Sequence, residues 1–499
     1  MNRCAVFLLL ALLISSCTHL ETPEVEASSP PIPPSPVSPV SHEAQVCEPE
    51  ECFRSALEDR LAGNLHGSWF MLQYIREEHP GTQWAARASF LLGLRALEDK
   101  ADLAEYYLEE SLTLTDIEDY VLYNLAGAYR AVGGGGGGGG GGRTGEAIDA
   151  YDLLIKKYPD STLLPRALYG RAEALEEGGV TSEALEAFEA FISSYPGHPL
   201  TPGAILRASA LALGSGDTND AARWARTLHI NHPESAEARE AEAIIEEIRS
   251  SGAEVPDLAP GERYTRAEKL FNASRYEEAL EDFSAIVEAG SSPYYGDSLI
   301  SLAIAQLRLK RNVEAEDALK RYLDGKTSRE DEEKALYWLT IASLRQGKVA
   351  LLFDTVKALK KKFPKSPYTA RAVFFTGTHY EERGEGELAF KAYEEVIEGY
   401  AGTPAWREAL WKVGWKAYLD GRYREAYDTF TSHLEKGALP AEDRQKLLYW
   451  GGRSAEMTGL FEEAVSSYAG ICGLGALNYY CQLASQRQGL LSGGFAGGP

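Results

Sequence analysis

Residues 165–195 read PRALYGRAEALEEGGVTSEALEAFEAFISSY, and the pattern in this stretch decides the fold. Small and apolar residues recur at helical spacing up to Leu175, where two consecutive glycines interrupt the pattern. The same spacing resumes at Ala184 and stops at Pro196. Because glycine disrupts a helix and proline cannot continue one, the stretch predicts two short helices joined by a tight turn.

The pattern recurs along the chain with a period close to 37 residues. Ala184 serves as the reference position, and successive reference positions are separated by 37, 37, 58, 36, 37, 37, 37 and 38 residues. They are Ala147, Ala184, Ala221, Ala279, Ala315, Leu352, Ala389, Ala426 and Ala464. Five residues earlier a glycine is common, as at Gly179, Gly216, Gly347, Gly384, Gly421 and Gly459. A fixed period of this size is typical of a solenoid of repeated units.

Two further positions carry packing residues. A small residue is common twelve positions before the reference, at Ala172, Ala267, Ala303, Gly377, Gly414 and Gly452. We expect it to let the two helices approach closely. An aromatic residue is common four positions after the reference, at Tyr151, Phe188, Phe283, Tyr393, Phe430 and Tyr468. We expect its ring to fill the space between neighbouring helix pairs.

These positions resemble those of the tetratricopeptide repeat (TPR), and GRYREAYDTF (421–430) and GLFEEAVSSY (459–468) are similar to its turn and second helix. The resemblance implies an all-α solenoid of about eleven antiparallel hairpins, forming a right-handed superhelix with a concave binding groove. The resemblance covers residues 53 to about 489. It does not identify which residues of the groove bind a partner.

The 58-residue step between reference positions predicts one extra helix near residues 234–249, followed by a linker. We therefore expect an N-terminal array at 53–250, a linker at 251–261 and a C-terminal array at 262–489. A Gly-rich tail follows at 490–499.

Ten consecutive glycines, Gly133–Gly142, occupy the place where other repeats have one turn glycine. A phosphate-binding loop needs a preceding strand and a following lysine. Here a helical pattern precedes the run, and Arg143 follows it. We therefore predict a disordered turn insertion, whose entropic cost grows only with the logarithm of its length.

The N-terminus carries a targeting signal. Ala5–Ile14 is an apolar stretch behind Arg3, and it is too short for a mature membrane span. The sequence Ile14-Ser15-Ser16-Cys17 resembles the lipobox of bacterial lipoproteins. An ordinary secretory signal with a chance cysteine is the alternative.

The lipobox resemblance implies cleavage of residues 1–16, lipidation of Cys17 and anchoring in a membrane. By the sorting rule of that family, Thr18 in place of Asp favours the bacterial outer membrane, with the protein facing the periplasm. Residues 17–46 are rich in Pro and Ser and predict a disordered tether with polyproline II character.

Four cysteines remain in the mature chain, in two local pairs. Cys47 lies near Cys52, and Cys472 lies near Cys481. In an oxidising compartment both pairs are candidate disulfides. A zinc site at Cys47 and Cys52 is the alternative, but no nearby His or Cys completes a ligand set. We predict no metal and no cofactor.

Composition and motifs argue against two classes of function. The 499 residues carry a formal charge of −24, which disfavours nucleic acid as a partner. No metalloprotease, nucleophile-elbow or P-loop motif occurs, so we predict no catalytic residues and no enzyme activity. His229 and His232 form the only close histidine pair and are expected to lie at a helix end.

Two clusters have alternative interpretations. A basic run comprises Lys357, Lys360, Lys361, Lys362 and Lys365. It predicts a solvated helix face or a contact with an anionic partner. Aromatic residues of the C-terminal array predict core packing or, for some, a binding groove. They are Tyr337, Trp338, Phe374, Trp411, Trp415, Tyr449 and Trp450.

Two narrower resemblances give two functional hypotheses. The aromatic-Pro-x-Ser repeat endings, as at 158–161 and 363–366, resemble those of envelope TPR proteins, namely the outer-membrane assembly lipoprotein and the Tol-Pal coordinator. This favours a membrane-anchored scaffold that binds envelope proteins or peptides, with peptidoglycan as a further candidate partner. This chain has about twice as many repeats as the assembly lipoprotein.

Residues 447–489 resemble the last part of the superhelical domain of soluble lytic transglycosylases. In that family a lysozyme-like domain with a catalytic Glu-Ser-x-Phe motif follows. Glu110-Ser111 and Glu234-Ser235 lack the Phe, so no glutamate inherits that role. The alternative function is therefore the non-catalytic part of a truncated or split transglycosylase that acts on peptidoglycan.

Overall fold

The computed structural model describes residues 47–98, 100–133, 143–325, 328–434, 439–473 and 479–495. Within these ranges the chain forms 24 α-helices, one short 3-10 turn and no β-strand, which confirms the all-α prediction. The predicted signal peptide, Cys17, the tether up to residue 46 and Gly134–Gly142 lie outside the described residues. The described residues form two compact units, one up to Ser89 and the other from Phe90 onward.

The helix bounds follow the repeat closely. They are α1 Pro49–Leu61, α2 Leu65–Glu78, α3 Gln83–Ala96, α4 Ala101–Glu110, α5 Glu118–Gly133, α6 Thr144–Lys157, α7 Leu164–Glu177, α8 Thr181–Ser194, α9 Thr201–Gly214, α10 Thr218–Asn231, α11 Glu237–Ser250, α12 Pro260–Asn272, α13 Tyr276–Ala289, α14 Tyr295–Arg308, α15 Asn312–Asp324, α16 Arg329–Arg345, α17 Val349–Lys362, α18 Pro367–Glu382, α19 Gly386–Gly399, α20 Pro404–Leu419, α21 Tyr423–Thr431, α22 Ala441–Met457, α23 Phe461–Cys472 and α24 Tyr479–Phe495. The boundary between the two units falls inside α3.

Consecutive helices pair into eleven hairpins in the described part of the chain, which confirms the predicted number. The pairs are α1/α2, α3/α4, α5/α6, α7/α8, α9/α10, α12/α13, α14/α15, α16/α17, α18/α19, α20/α21 and α22/α23. Helices α11 and α24 have no second helix of their own among the described residues. Within the second unit each hairpin packs mainly on its neighbours in the chain, as expected for a solenoid.

In nine hairpins the structure describes a turn residue in the left-handed backbone region. Gly179, Gly216 and Gly384 occupy it with φ of 72°, 87° and 76°, because glycine has no Cβ to clash there. Two of these nine hairpins lack the glycine. In these, Ser274 and Lys310 adopt φ of 63° and 64° at the same place in the repeat. The turn geometry is therefore kept even where the residue is unfavourable.

The reference positions form the centre of nine of the described hairpins. All nine are at most 3% exposed, and so are the six aromatic residues four positions later. The rings pack between hairpins, as expected from the sequence, and also within them. A Cβ added to Gly170 would lie 2.5 Å from the Tyr151 hydroxyl of the preceding hairpin. Within one hairpin, a Cβ added to Gly414 would lie 2.4 Å from the Phe430 ring. The ring occupies the space that a side chain at position 414 would need.

The extra segment of the 58-residue step is α11, and residues 251–259 connect it to α12 without helix. Both sides of this connection belong to the second compact unit. The division into arrays at 251–261 therefore stays a prediction. At the C-terminus α24 continues to Phe495, so the first part of the predicted Gly-rich tail is helical, while 496–499 lie outside the described residues.

The glycine run lies between the two helices of one hairpin. Helix α5 ends at Gly133, α6 begins at Thr144, and the two helices pack against each other. The insertion therefore extends a turn and leaves the packed helices in place. No helix in the described ranges is long and apolar enough to cross a membrane.

We expect Lys310→Gly to raise the free energy of unfolding by about 0.5–1 kcal/mol, because glycine tolerates the left-handed turn that lysine is forced to adopt. The control Lys357→Gly, in the interior of α17, should lower it by about 1 kcal/mol. Urea denaturation followed by circular dichroism measures both. A loss of stability in Lys310→Gly would contradict the turn analysis.

We expect Gly414→Ala to lower the free energy of unfolding by about 2 kcal/mol, because its Cβ would overlap the Phe430 ring. The control is Gly386→Ala at the start of α19, where no atom lies within 4 Å of the added Cβ. It should change stability by less than about 0.5 kcal/mol. Equal effects of the two substitutions would contradict the proposed contact, and adding Phe430→Leu to Gly414→Ala should recover part of the loss.

Candidate functional site

A cleft of about 380 Å³ lies across the first helices of three consecutive hairpins, α18, α20 and α22. We call it the aromatic cleft. It is lined by Phe374, Pro404, Arg407, Glu408, Trp411, Lys412, Asp443, Lys446 and Leu447. The lining residues of α20 are three or four positions apart, so they share one face of that helix. No second helix contributes to the lining, which places the cleft on the first-helix side of the repeats.

A ladder of aromatic rings continues from the cleft along α20. The rings of Trp411 and Trp415 stack with centroids 5.3 Å apart, and those of Trp415 and Tyr418 with centroids 5.6 Å apart. Trp450 of α22 approaches Trp415 edge-on at 4.6 Å. All four rings are partly exposed, and we call them the aromatic ladder. Partly exposed Trp and Tyr clusters are common anchors for partner proteins.

The aromatic residues of the C-terminal array divide between the two interpretations given by the sequence, core packing and a binding groove. Phe374 and Tyr449 are 5% and 8% exposed and belong to the core, although Phe374 also forms part of the cleft lining. Tyr337 and Trp338 are partly buried and pack edge-on against each other in α16. Only Trp411 of the predicted set is both partly exposed and part of the cleft lining.

Most charges in the cleft are engaged in ion pairs. Arg407 of α20 lies 3.0 Å from Asp443 of α22. Lys412 of α20 lies 2.5 Å from Glu381 of α18. Glu408 is paired in the same way, 2.6 Å from a guanidinium nitrogen of α18. These pairs connect the three first helices across the cleft and leave those side chains little freedom to meet a ligand.

Lys446 differs from these paired side chains, and the sequence analysis did not identify it as a candidate binding residue. Its Nζ lies 3.5 Å from the centre of the Trp411 ring, as a cation–π contact. It forms no ion pair with any residue that the structure describes. Burial lowers the pKa of the Lys446 ammonium, while Asp443 and Glu442 oppose the shift. The side chain is a partly desolvated cation that lies against an aromatic face.

A second cleft of about 630 Å³ occupies the first helices α7, α9 and α11. Its lining comprises Tyr169, Gly203, Leu206, Arg207, Ala210, Glu237, Glu240, Ala243 and Ile244. Arg207 is already paired, 2.9 Å from Glu173 and 2.6 Å from Glu176. This cleft has one aromatic ring in its lining and lacks a ladder. Its chemistry is therefore less specific than that of the aromatic cleft.

The basic run of α17 contributes to packing between hairpins. Lys360 lies 2.5 Å from Glu395 of α19, and Lys362 pairs with Glu332 of α16. Lys360 is thus engaged with the next hairpin, and Lys362 with the first helix of its own hairpin. This geometry favours the structural interpretation over an anion-binding patch.

His229 and His232 lie at the end of α10, as expected, next to a polar cluster that spans α10 to α13. The cluster centres on Asp282, which is 2% exposed. Asp282 accepts hydrogen bonds from Arg266 at 2.6 Å and from Arg263 at 3.2 Å. Arg266 also lies 3.7 Å from Glu242 of α11, so charged pairs connect hairpin α12/α13 with α11 where the repeat is interrupted.

His229 faces three cations and one carboxylate in this cluster. Its Nδ1 lies 3.1 Å from Glu242, but without hydrogen-bond geometry. Burial, together with Arg266, Arg226 and Arg249, lowers the pKa of the His229 imidazole to about 4. The imidazole is therefore neutral at pH 7 and resists protonation in the folded state.

The structure joins Cys47 to Cys52 at the start of α1, and Cys472 at the end of α23 to Cys481 in α24. The Cα atoms lie 5.7 Å and 4.9 Å apart, within the range that disulfides need. No group of three or more His, Cys, Asp or Glu side chains in the described ranges is arranged to hold a metal ion. Cys17, the predicted lipidation site, lies outside those ranges.

Comparison with known families identifies the repeats. Residues 120–161 and 166–198 match one tetratricopeptide-repeat model, and residues 264–330 match another. These segments are tetratricopeptide repeats. They correspond to α5/α6, α7/α8 and the run from α12 to α15. Hairpin α9/α10 and the four hairpins from α16 to α23 repeat the same turn and core positions. A TPR scaffold of this kind is suited to protein–protein interaction.

Two solved structures are similar to the chain at low identity. A tetratricopeptide repeat protein from Parabacteroides merdae is 15% identical, with a TM-score of 0.26, and the match covers 58% of this chain and 96% of that protein. The P58(IPK) TPR domain is also 15% identical, with a TM-score of 0.22, covering 76% of this chain and 100% of that domain. No curated protein matches the chain. Scores this low define neither the groove nor its ligand.

We expect stability to fall as pH decreases from 7 to 5. The pKa of His229 is about 4 in the folded chain against 6.5 for the free side chain, so the unfolded state binds the proton first. The stability associated with the neutral imidazole is present above pH 6.5 and is lost as pH falls towards 4. Urea titrations at both pH values should show that wild type loses about 2 kcal/mol more than His229→Gln.

The matched control is His66→Gln, on the exposed surface of α2. Its pH dependence should equal that of wild type. If His229→Gln and wild type lose the same free energy of unfolding between pH 7 and 5, the assignment of His229 is wrong.

Proposed function

We propose that this protein is a lipid-anchored scaffold of the bacterial cell envelope that binds segments of partner proteins in the aromatic cleft. The aromatic ladder carries this proposal. Four partly exposed Trp and Tyr rings lie together beside a cleft on the first-helix side of the repeats. Clustered apolar rings at a surface mark interaction sites, because their burial on binding is strongly favourable.

The rest of the cleft supports a binding role in preference to a catalytic one. General acid catalysis needs a carboxyl group that stays protonated near neutral pH, which requires burial without a cation partner. The two acidic residues of the cleft lining, Glu408 and Asp443, both pair with arginines. Such pairs hold the helices in place and occupy both carboxylates with a cation partner.

The location of the scaffold is proposed from the N-terminal sequence. The lipobox-like Ile14-Ser15-Ser16-Cys17 supports a lipid anchor, and residues 17–46 support a tether between membrane and repeats. The two cysteine pairs have Cα separations suitable for disulfides, which supports an oxidising compartment such as the periplasm.

The transglycosylase alternative receives less support, because its matching residues have packing roles here. Gly452 leaves room for the Tyr468 ring, since an added Cβ would lie 2.7 Å from it. Arg487 of α24 donates a hydrogen bond to Glu456 of α22 at 3.1 Å. A helical stack needs such contacts whatever it binds, so this resemblance does not select peptidoglycan cleavage.

We expect partner proteins to form crosslinks with residues at the aromatic cleft. The photo-crosslinking residue p-benzoylphenylalanine, introduced at Trp415 in the ladder, should yield adducts of defined mass with envelope proteins in living cells. The control position is Arg424, an exposed side chain on the second helix α21. No adduct at Trp415, or the same adducts at both positions, would contradict binding in the cleft.

We expect the anchor to depend on Cys17. Wild-type protein should incorporate labelled fatty acid and fractionate with membranes, because several acyl chains hold it there. Cys17→Ser should incorporate none and should remain unprocessed or soluble, whereas Cys472→Ser should keep the label. Wild-type protein that is soluble and unlabelled would show that the lipobox interpretation is wrong.

A further inference from the structure

The charges of the aromatic cleft are balanced except at one point. Arg407 and Lys412 each have a carboxylate partner on a neighbouring first helix, and both acidic lining residues have arginine partners. Lys446 has the Trp411 ring and forms no ion pair with a described residue. A ligand that enters the cleft therefore meets one cation that has no carboxylate.

We infer that the aromatic cleft selects a partner segment that presents one carboxylate next to an apolar side chain. The carboxylate pairs with Lys446, and the apolar group lies against Trp411 above the floor formed by Phe374 and Leu447. This inference rests on the proposed function and specifies its partner. The carboxylate belongs to an Asp or Glu side chain or to a chain terminus.

Both parts of the ligand are needed for a physical reason. An ion pair in a partly desolvated cleft is stronger than one at an open surface, because water screens it less. An apolar group alone would cover Lys446 and leave its ammonium desolvated without an acceptor, which is costly. A carboxylate alone would gain little over its hydration in water.

The cleft also determines which sign and how many charges its ligand can carry. Glu408 and Asp443 lie in the same lining as Lys446, so a ligand with several negative charges meets repulsion from them. The formal charge of −24 for the whole chain acts against polyanions in the same way. A single carboxylate matches the single unpaired cation.

The probe is a random twelve-residue peptide library, selected on the full chain purified in detergent micelles. One format of the library has blocked C-termini and the other has free C-termini. Enrichment of Asp or Glu beside an apolar residue in the blocked format assigns the carboxylate to a side chain. Enrichment of an apolar last residue in the free format alone assigns it to the terminus.

Three variants then test Lys446 with the best enriched peptide by fluorescence anisotropy. Lys446→Met keeps the aliphatic chain and removes the charge, and it should weaken binding at least tenfold. Lys446→Arg keeps the charge and should bind within about threefold of wild type. Lys391→Met removes the same charge from the exposed surface of the second helix α19 and should bind as wild type does.

A matched change in the peptide completes the test. Replacing its carboxylate with an amide should weaken binding to wild type tenfold but leave binding to Lys446→Met unchanged, because the two groups act as a pair. Unfolding midpoints equal to wild type show that the variants fold.

Two outcomes would overturn the inference, and they differ in what they mean for the proposed function. Enriched peptides without a carboxylate, or tight binding by Lys446→Met, would contradict this inference alone, provided that Trp415→Ala still weakens binding. No enriched peptide that depends on Trp415 would contradict both the inference and binding in the cleft.

Discussion

The fold depends on the contact between a small residue on the first helix of a hairpin and a buried ring or aliphatic group on the second. In α20/α21 the Phe430 ring fills the space next to Gly414, and in α22/α23 Tyr468 lies next to Gly452. This contact fixes the separation of the two helices, because interiors are packed too densely to tolerate an added methyl group. The turn residue five positions before the reference then closes the hairpin at that separation.

Because these contacts are local to a hairpin, the stack tolerates interruption. Helix α11 has no second helix of its own in the described part of the chain, and it packs instead on both helices of hairpin α9/α10. The glycine run lies between α5 and α6, and these two helices still pack together. Nearest-neighbour packing of this kind is the general property of repeat proteins.

Periodicity allowed the helices, the turns, the buried reference positions and the number of hairpins to be predicted, because each follows from spacing along one chain. It did not predict Ser274 and Lys310 in the left-handed region, where the neighbouring hairpins impose the turn on unfavourable residues. It also missed Lys446. The Lys446 side chain contacts the Trp411 ring of the preceding hairpin. Periodicity along the chain does not predict this contact, because it depends on the offset between neighbouring hairpins.

Several residues of the cleft lining also hold the stack together, whereas the rings of Trp415 and Tyr418 form no part of these ion pairs. Glu381 accepts hydrogen bonds from Tyr393 at 2.8 Å and from Lys412 at 2.5 Å, which ties the second helix α19 and the next hairpin to α18. Glu456 does the same with Tyr468 and Arg487, each 75 residues further along the chain. With the stack held by buried and paired groups, the aromatic ladder is available for a ligand. Partly exposed indole rings and a partly desolvated lysine without an ion pair are unfavourable, and a ligand that covers the rings and pairs with the lysine would explain their concentration on α20 and α22.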